Sequence, residues 1–408
     1  MIRLTLLLTT LLVTLAMQSP IPAMVAPTTV RFATYNIAMG LESQGEMLAR
    51  LQSGDDEGLR KAAAIIQKVR PDVLLLNEFD YLPGVDAGEL FVKNYLQHPQ
   101  YGQSATNYKY TYAGPVNTGV DSGLDLNNNG KTSDPADAWG FGRFPGQFAM
   151  QVLSRYPLDL NSLRTFQNFL WKDMPGALFP SNPDGSPWYP AEVQQQLRLS
   201  SKSHWDIPVA VERQVIHFLV SHPTPPVFDG PEDRNGLRNH DEIRLWADYV
   251  DPERSGYIYD DAGVFGGLHK GAAFVIAGDQ NADPVDGASH LNAIGQLLDH
   301  PLVDSRCEPV SDSAREASVA QGGKNLEHTG NPAADTGDFN DEYVGNMRVD
   351  YVLPSVTLAG GRCGVFWPMK VERGHEWIGV SDHRLVWVDV EIWHMSRQPE
   401  LDRELSLK

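Results

Sequence analysis

Six short apolar runs in this chain each adjoin a polar residue that an apolar strand gives no reason to expect. Phe274-Val275-Ile276-Ala277 leads into Gly278-Asp279-Gln280-Asn281, and Leu385-Val386-Trp387-Val388 leads away from Ser381-Asp382-His383-Arg384. Asn36 lies near the end of the run from Thr29, Glu78 just beyond Val73-Leu74-Leu75-Leu76, His222 after Val215 to Val220, and Asp350 inside Arg348-Val349-Asp350-Tyr351. A continuous apolar run is typical of a strand covered on both faces. If such strands lie in two stacked sheets, their ends can converge on one edge. Acidic groups, amides and imidazoles gathered there are the set needed to hold a hard divalent cation and activate water on phosphorus.

The elements between them fit that packing. Leu59 to Val69 has apolar residues at helical spacing and stops at Arg70-Pro71; Asp241 to Val250 reads as a second helix. Further strands are expected at Thr29–Ile37, Phe148–Leu153, Val209–Val211, Val349–Leu353 and Leu385–Ile392. The expectation is an α/β (α+β) chain with two mixed sheets face to face and helices outside. Stretches rich in Gly, Pro and Asn (82–146, 159–205, 224–240 and 305–346) read as loops on one rim, without an apolar core pattern of their own. For 311–341, a disordered linker is an equal alternative.

Composition bounds the function. With 33 basic against 52 acidic residues the formal charge is -19, which disfavours tight, sequence-blind binding of polyanions. Met1-Ile2-Arg3, then an uncharged Leu-rich stretch to Met17 and small residues to Pro27, has the layout of a secretory signal peptide. The expected division is a signal over 1–26, one domain over 27–396 and a polar tail over 397–408. A secreted or periplasmic protein without stable membrane insertion follows. In an oxidising compartment the two cysteines, Cys307 and Cys363, are expected to be bridged.

Singly, each polar residue has a plain reading as a cap, a turn or a solvent-facing strand position. The ordered set does not. Thr34-Tyr35-Asn36, Asn77-Glu78, the stretch Ala149 to Pro157, Gly278 to Pro284, Arg348 to Pro354 and Ser381-Asp382-His383-Arg384 together resemble the endonuclease/exonuclease/phosphatase superfamily. Its members include deoxyribonuclease-like enzymes, abasic-site nucleases and sphingomyelinases. The resemblance spans about residues 30–394 and implies a four-layered αββα sandwich. It also implies roles. Glu78, with Asn36 and Asp382, would hold Mg²⁺ or Mn²⁺. Asp279 would deprotonate the attacking water, with Asn281 fixing the phosphate or that water. His383, oriented by Asp350, would stabilise charge on a phosphoryl oxygen. His222 would protonate the leaving oxygen.

Other features belong to this chain. Asp125, Asn127, Asn129 and Gly130 imitate the first half of a calcium loop, but Ala136 stands where the bidentate acid belongs. A structural Ca²⁺ and a plain Asn/Gly turn both stay open. His204 and Asp206, beside Trp205 and ahead of a strand, are expected to contact substrate, as is Asn117. Lys109, Arg143, Lys172 and Lys202 are scattered, with no basic cluster, so a small phosphoester is favoured over nucleic acid and no protein partner is implied. A secreted deoxyribonuclease of the same fold and a catalytically silent binding module are the alternatives.

Overall fold

A computed structural model of the protein describes residues 27–393, so the expected signal peptide and the tail from 397 lie outside the described residues. Residues Thr29–Ile392 form one compact unit.

The strands in chain order are β1 (Thr28–Met39), β2 (Val73–Phe79), β3 (Tyr110–Tyr112), β4 (Met150–Ser154), β5 (Arg164–Thr165), β6 (His204–Val211) and β7 (Gln214–Ser221). They continue with β8 (Ala273–Asp279), β9 (Gly337–Asp338), β10 (Asn346–Met347), β11 (Asp350–Pro354), β12 (Ala359–Val365) and β13 (Val386–Ile392). One sheet has the order β12-β13-β1-β2-β4-β3 and the other β11-β8-β7-β6-β5. Both are mixed. β1 and β2 run parallel, as do β7 and β8, whereas β2–β4, β6–β7 and β8–β11 are antiparallel.

Alternation along the strands builds the layers. In β1, Val30 and Phe32 pack between the sheets with Val275, Ala277, Phe218 and Val388. Ala33, Tyr35 and Ile37 instead join the cluster that contains Leu59, Ala62 and Ile66 of the helix Glu57–Val69. Across the molecule, Phe274 and Ile276 of β8 join Ile243, Trp246 and Tyr249 of the helix Arg234–Tyr249. The result is helix, sheet, sheet, helix, the expected four-layered sandwich.

Two readings of the chain are corrected. The stretch 159–205 is not merely rim, since Phe166, Phe169, Trp171 and Leu197 sit in the outer core beside Trp246. Their spacing follows no period, so no pattern marks them. The stretch 311–341 is not a structureless linker: it holds a helix, Asp312–Gln321, capped by the Ser311 hydroxyl, and 3₁₀ turns at Gly323–Leu326 and Pro332–Ala334. Cys307 and Cys363 are disulfide-bonded, fastening the start of this segment to β12. Among the described residues, no helix is long and apolar enough to cross a membrane.

Candidate active site

Strand direction brings the polar ends together. Parallel β1 and β2 put Asn36 and Glu78 at one edge, and parallel β7 and β8 put His222 and Asp279 at theirs. Antiparallel β11 starts where β8 ends, with Asp350 in register opposite Asp279. Asn77 joins the two sheets: its Oδ1 accepts from Thr34 Oγ1 at 3.0 Å and from the backbone N–H of Asp279 at 3.3 Å.

Around Asp279 the side chains interlock. Asn36 Nδ2 donates to Glu78 Oε1 at 3.2 Å and to Asp279 Oδ2 at 3.1 Å. Asp279 Oδ1 accepts the Asn281 backbone N–H at 2.9 Å, and Asn281 Nδ2 donates to the carbonyl of Pro223 at 3.1 Å. His222 Nε2 stands 3.3 Å and His383 Nε2 3.6 Å from Asp279 Oδ2. His383 Nδ1 reaches Asp350 Oδ2 at 2.9 Å, and the same oxygen accepts from Thr336 Oγ1 at 2.9 Å. Ser381 Oγ donates to the carbonyl of Asn36 at 2.8 Å and accepts the His383 backbone N–H, tying the β13 approach to β1. Glu78 (φ 53°) and Asn281 (φ 51°) occupy the left-handed region, a backbone cost that functional sites commonly carry.

Charge follows from these contacts. Burial alone would depress His383, but Asp350 and Asp279 flank its ring and raise it to about 10. Burial pulls Asp350 up, to about 6, against the pull of His383. The proton belongs on His383, because it faces two carboxylates whereas Asp350 also feels the Asp279 charge. Burial opposes ionisation of Asp279 too, yet His383 and His222 hold its carboxyl well below the ordinary range. His222 is pushed down by burial and by Lys202, so it is neutral near pH 7. Its Nδ1 is sealed in protein without a partner and its Nε2 faces Asp279. That geometry fits a residue that positions Asp279 better than a donor to a leaving oxygen.

Glu78, His222, Asp279, Asn281, Asp382 and His383 line a cavity of about 1310 Å³. Asn36 and Asp350 do not line it but are buried and bonded to Asp279 and His383, which do. Three further expectations fall outside it. Asn117 is fully buried, donating to the carbonyls of Gln167 and Ser200 and accepting from Arg198, so it braces a loop. His204 is held between Ser200 Oγ and the carbonyl of Glu242, and burial lowers it to about 4. Asp206 accepts from Tyr249 Oη at 2.6 Å and pairs with His217 at 2.8 Å. None of the three lines the cavity; β6 begins at His204 rather than after Asp206 and carries both of those side chains into the sheet.

Two sets of donors stand where a divalent ion could bind. Asp279, Asp350 and His383 offer ligand atoms within 4.8 Å of one another, close enough to share a cation. In the geometry described, however, the His383 ring already lies between the two acids. Glu78 and Asp382 are hard oxygen donors on the cavity wall, with no Lys, Arg or His nitrogen within 4.0 Å among the described residues. They fit Mg²⁺ or Mn²⁺. The Asp125 loop is different. Asp125 accepts the backbone N–H groups of Asn129 and Gly130, while the Asn127 and Asn129 amides donate to Asp134. Its polar groups satisfy one another as an Asn/Gly turn does, which lends a structural Ca²⁺ no support.

Sequence reasoning missed several neighbours: the struts Asn77, Thr336 and Ser381, the Phe339 ring edge-on to His383 (centroids 5.2 Å apart), and Lys202 on the cavity wall. Asn77 and Ser381 adjoin Glu78 and Asp382, which was the available signal. Lys202 gave none.

The model of the Endonuclease/Exonuclease/phosphatase family matches residues 33–383. Among solved structures, an endonuclease/exonuclease/phosphatase from Beutenbergia cavernae is 18% identical, with TM-score 0.46, over 89% of this chain and 72% of that one. A family protein from Leptotrichia buccalis is 14% identical, with TM-score 0.45, over 89% of this chain and 100% of that one. Beta toxin from Staphylococcus aureus is 14% identical, with TM-score 0.43, over 88% and 99%. No curated protein matches.

Proposed function

Because the chain belongs to the Endonuclease/Exonuclease/phosphatase family, we propose that it is an exported, divalent-metal-dependent phosphoesterase that hydrolyses small phosphodiesters or phosphomonoesters. The observation carrying this reading is the meeting of Asn36, Glu78, Asp279, Asp350 and His383 at one edge of both sheets.

Asp279, ionised well below neutrality, accepts the proton of the attacking water. Asn36 and His222 hold its carboxylate in place. Asn281, locked by Pro223, faces the same cavity and fixes the phosphate or that water. The His383 imidazolium, backed by Asp350, presents positive charge to a phosphoryl oxygen as charge builds during in-line attack. Glu78 and Asp382, with Asn36 beside Glu78, would hold the cation, which when bound supplies Lewis-acid polarisation of the phosphate.

The cavity favours a small ester with an apolar organic part. Phe141, Phe228, Val285 and Tyr343 on its walls are 57%, 87%, 61% and 71% exposed. Of the cations at its edge, Arg234 pairs with Glu232 and Lys324 with Glu327. Asp283 and Asp286 add negative charge to the lining. A phosphate backbone needs free cations along its path, and this rim offers few.

The test is a substrate profile of the purified chain on p-nitrophenyl phosphate, bis(p-nitrophenyl) phosphate and plasmid DNA, with Mg²⁺, with Mn²⁺ and with EDTA. Metal-dependent release of p-nitrophenol is expected. No hydrolysis with either metal would end the reading, and degradation of DNA alone would overturn the small-ester preference.

A further inference from the structure

Lys202 is 6% exposed and forms part of the catalytic cavity wall. A lysine this buried ordinarily has a carboxylate in contact. Here, among the described residues, no carboxylate oxygen lies within 4.0 Å of its Nζ and no acceptor is hydrogen-bonded to it. Nor is that nitrogen sealed in protein, as His222 Nδ1 is.

The carboxylates that act on it through space are engaged elsewhere. Glu242, fully buried, accepts the backbone N–H of Ser201 at 2.6 Å on one oxygen and that of Thr224 at 2.6 Å on the other. Those bonds fix the backbone at Ser201 and Thr224, both on the cavity wall, and the Lys202 carbonyl is held by the Asn117 N–H at 2.8 Å. Glu78 and Asp279 act on Lys202 through space, but each has its own task in the reaction above. Burial lowers the Lys202 pKa, with Glu242, Glu78 and Asp279 opposing. A lysine on a braced backbone, with no protein anion within 4.0 Å, gains most from an anion that arrives from outside.

We propose that Lys202 grips the phosphate of the substrate, its Nζ donating to a non-bridging phosphoryl oxygen. This rests on the phosphoesterase reading and deepens it. His383 and Lys202 then act on the phosphate as two separate cations, one held by Asp350 and the other by the braced backbone. No bond to Lys202 forms or breaks.

The experiment measures binding rather than turnover. Inorganic phosphate is titrated calorimetrically into the full chain in Mg²⁺, and into the Lys202→Met and Lys202→Arg variants. Loss of one charge-assisted hydrogen bond should weaken phosphate roughly 10- to 100-fold in Lys202→Met, with partial recovery in Lys202→Arg. Equal affinity in wild type and Lys202→Met would overturn the assignment. Should Lys202→Met fail to fold, acetylation of the wild type decides. Phosphate should protect Lys202 but not the exposed Lys109, and equal labelling of Lys202 with and without phosphate would overturn it. A wild type that hydrolyses no ester ends the underlying reading instead, whatever Lys202 does.

Discussion

His383 Nδ1 lies 2.9 Å from Asp350 Oδ2, and the other oxygen of that carboxylate is buried without a partner. The pair fixes which nitrogen of His383 faces Asp279. Asp350→Asn keeps the size but places an amide where the ring needs an acceptor, and removes the charge that keeps the imidazole protonated. Turnover of bis(p-nitrophenyl) phosphate should fall roughly 10²- to 10⁴-fold with the fold retained. Activity within a factor of three of wild type would show that His383 does not depend on Asp350.

Glu78 and Asp382 reach the cavity from different segments of one sheet, the end of β2 and the approach to β13, so removing one donor should weaken the cation without abolishing the site. In Glu78→Gln, the Mg²⁺ concentration giving half-maximal activity should rise about 10- to 100-fold. Lys109→Ala serves as the comparison, because Lys109 is exposed and does not line the cavity. An unchanged Mg²⁺ requirement in Glu78→Gln would place the ion elsewhere.

Much of this site was legible because the signal is local: a polar residue against an apolar run marks a strand end. Asn36, Glu78, His222, Asp279, Asp350 and His383 all carry it. The misreading of His204 and Asp206 has the opposite cause. Their side chains are buried among polar partners, Ser200 and Glu242 for one, His217 and Tyr249 for the other, so β6 starts without an apolar alternation to announce it. Lys202 was hidden for a third reason. A lone lysine in a Ser-rich turn reads as solvated, and only the three-dimensional path of 198–204 carries it inside. The apolar residues of 159–205 lack a period because most of that stretch is irregular chain, holding before β6 only β5, a 3₁₀ turn and a four-residue helix, although they join the core that contains Trp246.

Asp335 gives a pH-dependent test away from the chemistry. It is 8% exposed, and burial together with Asp283 and Asp286 raises its carboxyl to about 8. The folded state therefore holds this proton more tightly than the unfolded chain does. Its ionisation costs nothing below the unfolded value near 4, and the penalty grows as pH rises from there to 8. Asp335→Asn removes the penalty, on the order of a few kcal/mol across that window. The melting temperature of the variant minus that of wild type should increase from pH 5 to pH 9. A flat difference would refute the shift.

The Cys307–Cys363 bridge closes a loop with a sequence separation of 56 that contains Asp350. Cross-links of this span typically stabilise by about 2–4 kcal/mol, chiefly by restricting the unfolded chain. A Cys307→Ser, Cys363→Ser chain should melt several degrees lower, yet keep its kcat at low temperature, since Asp350 is held in register by β8 and by Thr336. Loss of kcat at a temperature where the double variant remains folded would mean that the bridge also sets the site geometry.

Phe228 tests the organic half of the substrate. It is 87% exposed on the cavity wall, so Phe228→Ser should leave folding intact and alter only what the cavity touches. An aromatic face that binds substrate and transition state equally contributes to KM and not to kcat. For bis(p-nitrophenyl) phosphate, KM should rise about 3- to 10-fold with kcat unchanged, the size expected for exposing part of an aryl group to water. The same variant should leave the affinity for inorganic phosphate as it was, because that anion has no apolar part. A fall in kcat at constant KM would instead place Phe228 among the residues that shape the reacting geometry.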